Sequence, residues 1–432
     1  DATGNAEIAQ AAGAPCAYVD DALAVQASHF PPRKVGAWYI NGDISAVDVS
    51  DPVQTREVLL SRAKYSRAFD SGPMVAARER QRVVGDFTLD WLDIINERTF
   101  PDSIVLARSD YDSHGVQVHP FFALRPARPT GAYSHQFHSY VPYRCLLPGG
   151  IEGMLVVGLG ASAHRDALPI IRMQPDLHNQ GYAAGVAAAM SLAAGVTPRR
   201  VDVRKLQAHL VEIGNLPASV LTDGDSYPLP AERVAEAVEK VKQEFAGLEV
   251  LMAAPEQALP LLRRALEGAT GDDALHYAQV LGVMGDPTGV PLLAAEAERR
   301  LGSPELLAAE KEQPDEVTRL IWAMGHAGDR QAVPVLCRLA EAIGPGHAGR
   351  FRALVLSLGR LGDPAVAPAL AKLANLRAET PGRREMLAAV ALYRCGDPTG
   401  EAKTLLRRAT RSTDGIIARL AIQVLAAPAG KP

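Results

Sequence analysis

Residues 154–194 read MLVVGLGASAHRDALPIIRMQPDLHNQGYAAGVAAAMSLAA. The apolar run Met154-Leu155-Val156-Val157, closed by Gly158 and Gly160, predicts a short buried strand that ends in a tight turn. A polar loop follows, carrying Ser162, His164, Arg165, Asp166, Arg172, Asp176, His178, Asn179 and Gln180. A helix is then expected from near Gly181, built of small residues: Ala183, Ala184, Gly185, Ala187, Ala188 and Ala189. Two readings of those small residues stand side by side. They let a flat or anionic group approach free N–H groups at the positive end of a helix dipole, or they let the helix pack closely on a sheet. The apolar segment spans roughly 14 residues, short of the ~20 that a bilayer requires. Gly158-x-Gly160 alone is a weak nucleotide signal, because residue 163 is Ala and the loop does not run straight into a helix.

The stretch resembles the last strand, loop and helix of the FAD-dependent oxidoreductase family with a glutathione-reductase-like flavin domain. Gly158, Ser162, Ala167, Arg172, Gly181, Ala183, Ala184 and Gly185 carry the resemblance. It implies an FAD site. Arg172, Asn179, Gln180, Gly181 and the backbone at Ala183 and Ala184 would hold the ring side, with Gly158 and Ser162 in the same cofactor-binding set. The helix N-terminus would face the pyrimidine edge, where an oriented dipole stabilises the charge of reduced flavin.

The resemblance extends outward over residues 1–215. Ala2, Thr3 and Gly4, with Ala12 and Gly13 after a helix expected at 6–12, match a run that implies contact with the adenine–pyrophosphate side. The strand and Gly-x-Gly-x-x-Gly turn that precede this run in the family are not in the sequence. The chain is therefore expected to be the C-terminal portion of such an enzyme, with an N-terminal segment or another chain completing the FAD site. Residues 34–41, KVGAWYIN, read as a strand and 55–68 as an amphipathic helix. Arg78, Arg80 and Arg82 resemble the family's Arg-Glu-x-x-Arg segment, and either hold phosphate or carboxylate or form a solvated helix end. Pro142, Tyr143 and Arg144 resemble its Pro-Tyr-Arg segment, which implies that Tyr143 and Arg144 reach the substrate. Residues 201–210 read as the closing amphipathic helix.

Six of the 11 histidines lie between His114 and His178, a concentration suited to proton transfer coupled to hydride transfer. His114, Tyr143 and His164 are the catalytic candidates. A metal site built from His114, His119, His135 and His138 is the weaker alternative. His135 and His138 sit in SHQFHSYVPY, which reads as strand, and residues three apart on a strand face opposite sides. The four cysteines, Cys16, Cys145, Cys337 and Cys395, are widely separated and form no CxxC.

Beyond residue 215 the pattern changes. Residues 216–254 read as a linker with Pro217, Pro228 and Pro230 and one charged helix at 231–244. Residues 255–428 read as a repeat: Gly285-Asp286-Pro287, Gly328-Asp329-Arg330, Gly362-Asp363-Pro364 and Gly396-Asp397-Pro398 recur at spacings of 43, 34 and 34. Gly would end one helix, Asp cap the next and Pro open its first turn. One helix pair cannot bury its own face, so stacking is required, and the pattern resembles HEAT-type repeats.

The fold expected is α/β plus all-α: a partial FAD/NAD(P)-binding flavoprotein domain with a β-rich cap over residues 1–215, then a HEAT-like α-solenoid. The function implied is hydride transfer from a small organic substrate to FAD; the alternative is a non-enzymatic HEAT-repeat scaffold with a degenerate flavin fold. The repeats offer a docking surface for a protein partner or a packing wing. A net charge of −4 with mixed signs gives no nucleic-acid or anionic-membrane surface. The chain is expected to be soluble, with any export signal upstream of residue 1.

Overall fold

The computed structural model describes residues 6–17, 82–111, 117–125, 136–308, 315–343, 347–374, 383–412, 415–426 and 428–430. Ala2, Thr3, Gly4, Arg78, Arg80, His114 and His135 lie outside the described residues, as do the strand expected at 34–41 and the helix expected at 55–68. The described residues divide into two units. The first is drawn from Asp1–Ala46, Ser71–His119 and Ala127–Leu229, the second from Val47–Asp70, Pro120–Pro126 and Pro230–Pro432.

In the first unit, helix α1 (Glu7–Ala11) leads into β1 (Cys16–Ala17), which pairs antiparallel with β2 (Arg82–Val83). Helix α2 (Trp91–Ile95) is started by Asp90: Leu92 N donates to Asp90 Oδ1 at 2.9 Å, and Asp90 N to Asp93 Oδ2 at 2.8 Å, a reciprocal cap. Strand β3 (Ser103–Ser109) precedes α3 (Phe121–Leu124), a short helix that belongs to the second unit. Strand β4 (Phe137–Pro142) pairs antiparallel with β3 and is the strand read from SHQFHSYVPY. Trp91, buried, meets Tyr111 and Phe137 edge-on at 5.0 and 5.3 Å, so α2 closes over β4.

Two expectations need correction here. Residues 154–157 form no strand: Val156 is buried and its N–H donates to Leu146 O at 2.8 Å, but no ladder continues from it. The described residues hold two two-stranded antiparallel sheets and two isolated bridges, antiparallel Gly85 to Pro148 and parallel Leu89 to Ala163. The small-residue helix begins at Gln174, not near Gly181. Helices α4 (Leu168–Ile171) and α5 (Gln174–Ala194) are separated only by Arg172 and Met173. Met173 is extended and Pro175 sits in the first turn of α5, where its missing N–H costs no hydrogen bond. Gly195, at φ 65°, ends the helix. Asp202 caps α6 (Val203–Glu212) through Lys205 N at 3.2 Å, and Gln207 of α6 donates to Pro101 O and Ser103 O at 3.0 and 2.9 Å, tying that helix to β3.

The second unit is helical. After α7 (Ala231–Lys240), α8 (Leu248–Ala253) and α9 (Pro255–Gly268), the main helices are α10 (Gly271–Val283), α11 (Val290–Arg300), α12 (Pro304–Leu307), α13 (Glu316–Ala327), α14 (Val333–Ala342), α15 (Ala348–Leu361), α16 (Ala367–Ala374), α17 (Arg383–Arg394), α18 (Glu401–Ala409) and α19 (Gly415–Leu425). Helix α10 packs on α13, α13 on α15, and α15 on α17. The Gly-Asp turns behave as read. Gly328 takes φ 72° and Gly362 φ 60° at the ends of α13 and α15. Asp286, Asp329 and Asp363 each accept a backbone N–H two residues on, at 2.9 Å. Asp397 departs from this pattern: it accepts from Ala402 N and Lys403 N at 3.1 and 2.8 Å, capping α18 directly.

A second glycine series, three residues before those turns, sets the helix spacing. A Cβ on Gly282 would lie 2.6 Å from Ala323 O, one on Gly325 2.4 Å from Ser357 Cβ, and one on Gly359 3.0 Å from Ala391 Cβ. Gly325→Ala is expected to destabilise the helical unit by about 1–3 kcal/mol through overpacking. Gly268→Ala, at a helix end with nothing within 4 Å, is the control and should not destabilise it. Urea denaturation of the two variants checks this; equal midpoints would remove the spacing role from Gly325.

Candidate functional site

The residues between 85 and 90 run between two later segments. Asp86 N donates to Leu147 O at 3.0 Å, Leu89 N to Ser162 O at 3.2 Å, and His164 N to Leu89 O at 2.7 Å. Ser162 is fully buried; its hydroxyl accepts from Gly85 N at 3.0 Å and bonds Thr88 Oγ1 at 2.8 Å. This lattice places Asp90 beside His164.

His119 completes the group. Its Nε2 lies 3.4 Å from Asp90 Oδ1, and its ring meets that of His164 edge-on at 5.5 Å. Asp166, with no exposed surface, organises the surroundings. It pairs with Arg165 Nη1 at 2.7 Å, and accepts from Tyr111 OH at 3.2 Å, Val118 N at 2.8 Å and His119 N at 2.7 Å. Four donors fill the acceptor capacity of one carboxylate. Both charges of the Arg165–Asp166 pair are buried, at 3% and 0% exposure, so each depends on the other.

Electrostatics then fix the imidazole of His164. Burial pushes its pKa below the ordinary value, against the pull of the Asp90 and Asp166 carboxylates and with help from His119 and Arg82. His164 is thus neutral near pH 7. Its Nδ1 accepts the Asp166 backbone N–H at 3.2 Å, which leaves the proton on Nε2. The ring therefore offers an N–H donor rather than a lone pair. Burial alone would raise the Asp90 carboxyl, but the His119 hydrogen bond, the charges of His119 and His164 and the Leu92 N–H hold it below its usual range. Asp90 is an anion.

The other sequence candidates divide into two groups. Gly158 and Gln180 meet: Gly158 N donates to Gln180 Oε1 at 3.2 Å, while Gln180 Nε2 donates to Ile171 O at 2.9 Å. Gln180 is fully buried and ties the Gly158 turn to the end of α4, just before the half-buried Arg172. The buried residues Leu168, Pro169, Ile170 and Ile171 anchor Arg172. Tyr143 is different. Its hydroxyl donates to Pro198 O at 2.9 Å inside the core, and burial pushes its pKa up to about 12 against the pull of Arg199. It anchors the turn at Pro198. Arg144 grips Asp102 with Nε and Nη2 at 3.0 and 3.1 Å, so its anion is internal. Asn179, Gly181, Ala183 and Ala184 lie inside α5, where backbone N–H groups close intrahelical hydrogen bonds.

Asp90, His119 and Asp176 are functional candidates that sequence reasoning passed over or placed elsewhere. The signal for Asp90 was local, since it precedes a helix and stands three residues before Asp93. Nothing in the sequence pairs His119 with His164. Of the weaker metal alternative, His114 and His135 lie outside the described residues, His119 stands beside Asp90 and His138 is exposed on β4; among the described residues no group of three or more His, Cys, Asp or Glu residues is placed to hold a metal.

Asp166→Ala is expected to destabilise the first unit by about 3–5 kcal/mol, because it takes the ion-pair carboxylate from a buried guanidinium and the acceptor from two backbone N–H groups. Limited proteolysis near residues 117–119 and a lowered urea midpoint would show it. An unchanged midpoint would mean that the pair is dispensable.

Residues 55–210 match the family model of the FAD dependent oxidoreductases, and residues 352–375 match the PBS lyase HEAT-like repeat. Neither a curated protein nor a solved structure matches the chain. No helix among the described residues is long and apolar enough to cross a membrane.

Proposed function

We infer, for a chain that joins an FAD dependent oxidoreductase segment to HEAT-like repeats, that its first unit serves the oxidation of a small organic substrate. The observation that carries this reading is His164, a half-buried neutral imidazole with its proton held on Nε2 beside an ionised Asp90.

The residues present fit a flavin in part. A Cβ at Gly158, at φ 74°, would meet nothing within 4 Å, so a planar group has room over that turn. Asp176 Oδ2 is buried with no hydrogen-bond partner, and a ligand N–H or O–H would satisfy it. The backbone at Gly181, Ala183 and Ala184 does not fit, because α5 has already begun. The residues that would hold the group are Gly158, Arg172 and Asp176.

When bound, FAD supplies the hydride acceptor. His164 donates a hydrogen bond from Nε2 to an oxygen or nitrogen that gains negative charge. Such a fixed neutral donor in a water-poor site contributes most when charge develops. The Asp90–His119 pair takes the substrate proton at the imidazole while Asp90 stabilises the imidazolium that forms. Arg172, cationic at all working pH, favours the anionic product. Asp166 keeps His119 within reach by its hold on the His119 and Val118 N–H groups.

The helices of the second unit continue as an α-solenoid whose edge carries the Gly-Asp turns, and its surface takes a protein partner. The repeated order of helix, capped turn and helix supports this.

His164→Ala is expected to slow substrate-driven bleaching of the flavin absorption bands by about 10²–10³-fold, the loss typical of one charge-stabilising donor. Flavin content of the preparation should not change. Unaltered bleaching would remove His164 from the chemistry, and a colourless protein that takes up no FAD would favour the scaffold reading.

A further inference from the structure

Arg98 lies half-buried in the first unit, with its donors divided between two carboxylates. Nε and Nη2 reach the two oxygens of Asp225 at 2.9 and 2.8 Å, and Nη1 reaches Asp93 Oδ1 at 2.9 Å. The guanidinium stands over the rings of Phe87, Phe100 and Tyr227, at 5.3, 4.9 and 4.2 Å from their centroids. A planar cation stacked in this way is held in one orientation. Residues 224–227, which carry Asp225, are themselves fixed. Thr99 N donates to Ser226 Oγ at 3.1 Å, Thr99 Oγ1 to Gly224 O at 2.9 Å, and Tyr227 OH to Leu92 O at 3.2 Å.

The second oxygen of Asp93 connects this clamp to the site. Asp93 Oδ2 accepts the Asp90 N–H at 2.8 Å, and Asp90 Oδ1 lies 3.4 Å from His119 Nε2. The contacts therefore run without a break from Asp225 through Arg98, Asp93 and Asp90 to His119. Asp93 is 5% exposed. Burial, and to a smaller degree the Asp90 charge, pushes its carboxyl up, while the Asp90 N–H and Arg98 pull it down. An ionised carboxylate is the stronger acceptor, so the grip on the Asp90 N–H depends on the Arg98 cation. A lysine would keep the charge. Its single nitrogen cannot reproduce a planar fork that serves two carboxylates at once.

We propose that Arg98 is a positioning residue for the Asp90–His119 pair: clamped by Asp225, it holds Asp93 against the Asp90 backbone so that the Asp90 carboxylate faces His119. The proton-transfer role of that pair rests on the functional reading above; the clamp itself does not.

The test uses the full chain and reads two NMR signals, exchange of the Asp90 amide and the ring resonances of His119. Asp90→Asn supplies the reference for a His119 without its carboxylate partner. Arg98→Lys is expected to speed exchange of the Asp90 N–H by about tenfold (~1.4 kcal/mol), the loss of one hydrogen bond to a charged acceptor. It should also move the His119 signals in the direction that Asp90→Asn moves them. Amides of the β3–β4 ladder should exchange as in the wild type, which separates positioning from a general loss of stability. If Arg98→Lys loosens the ladder too, Asp225→Asn, at the half-exposed end of the clamp, should give the same two changes on an intact fold. His119 signals that stay at their wild-type positions in both variants would overturn the proposal and leave Arg98 as a clasp for residues 224–227. His119 signals that follow Arg98 in a chain whose flavin bleaching ignores Asp90→Asn would uphold the positioning and remove the proton-transfer reading.

Discussion

The first unit depends on the satisfaction of one buried anion. Asp166 has no exposed surface and gathers a guanidinium, a phenol and two backbone N–H groups from residues 111 to 165. A carboxylate removed from water must find compensation of this kind or lose its charge. Its own backbone N–H then reaches His164 Nδ1 and decides which ring nitrogen keeps the proton. Structural stability and site chemistry therefore share a single residue. Elsewhere in the unit, Arg199 joins Asp86, Glu152 and the carbonyls of Pro148 and Ile151. Arg98 acts likewise on Asp93 and Asp225.

The second unit solves a different problem. Its helices approach so closely that side chains are excluded at Gly282, Gly325 and Gly359, and each turn is closed by an aspartate cap. Backbone contact at these points leaves the flanking Leu, Val and Ile residues to fill the remaining volume, as Leu281, Ile321 and Leu354 do in full burial. Close approach and capping are local devices repeated along the chain, which is why a regular spacing in sequence becomes a regular packing of helices.

That difference explains what the sequence reveals. The Gly-Asp turns are legible because a left-handed glycine and a capping aspartate act within a few residues of themselves. Strand β4 is legible from its alternation. The start of α5 is not, because the run of small residues around Gly181 draws attention away from Pro175 and Asp176, which hold the true first turn. The apolar run at 154–157 looks like a strand but joins no sheet among the described residues, its Val156 N–H meeting Leu146 O instead. Contacts such as Asp166 with Val118, Gln180 with Gly158 and Tyr143 with Pro198 link positions that no periodicity relates. Tyr143 illustrates the consequence: a tyrosine suited to proton donation proves to be a core anchor once its hydroxyl is seen to be taken.

The central claim is that His164 is a neutral donor created by burial and by the Asp166 backbone. The most direct measurement is a pH titration of its ring proton resonances by NMR, assigned by comparison with a His164 substitution. A midpoint below the ordinary histidine value of about 6.5, with the proton on Nε2 in the neutral form, is expected. A midpoint at or above that value, or a neutral ring protonated on Nδ1, would contradict the claim.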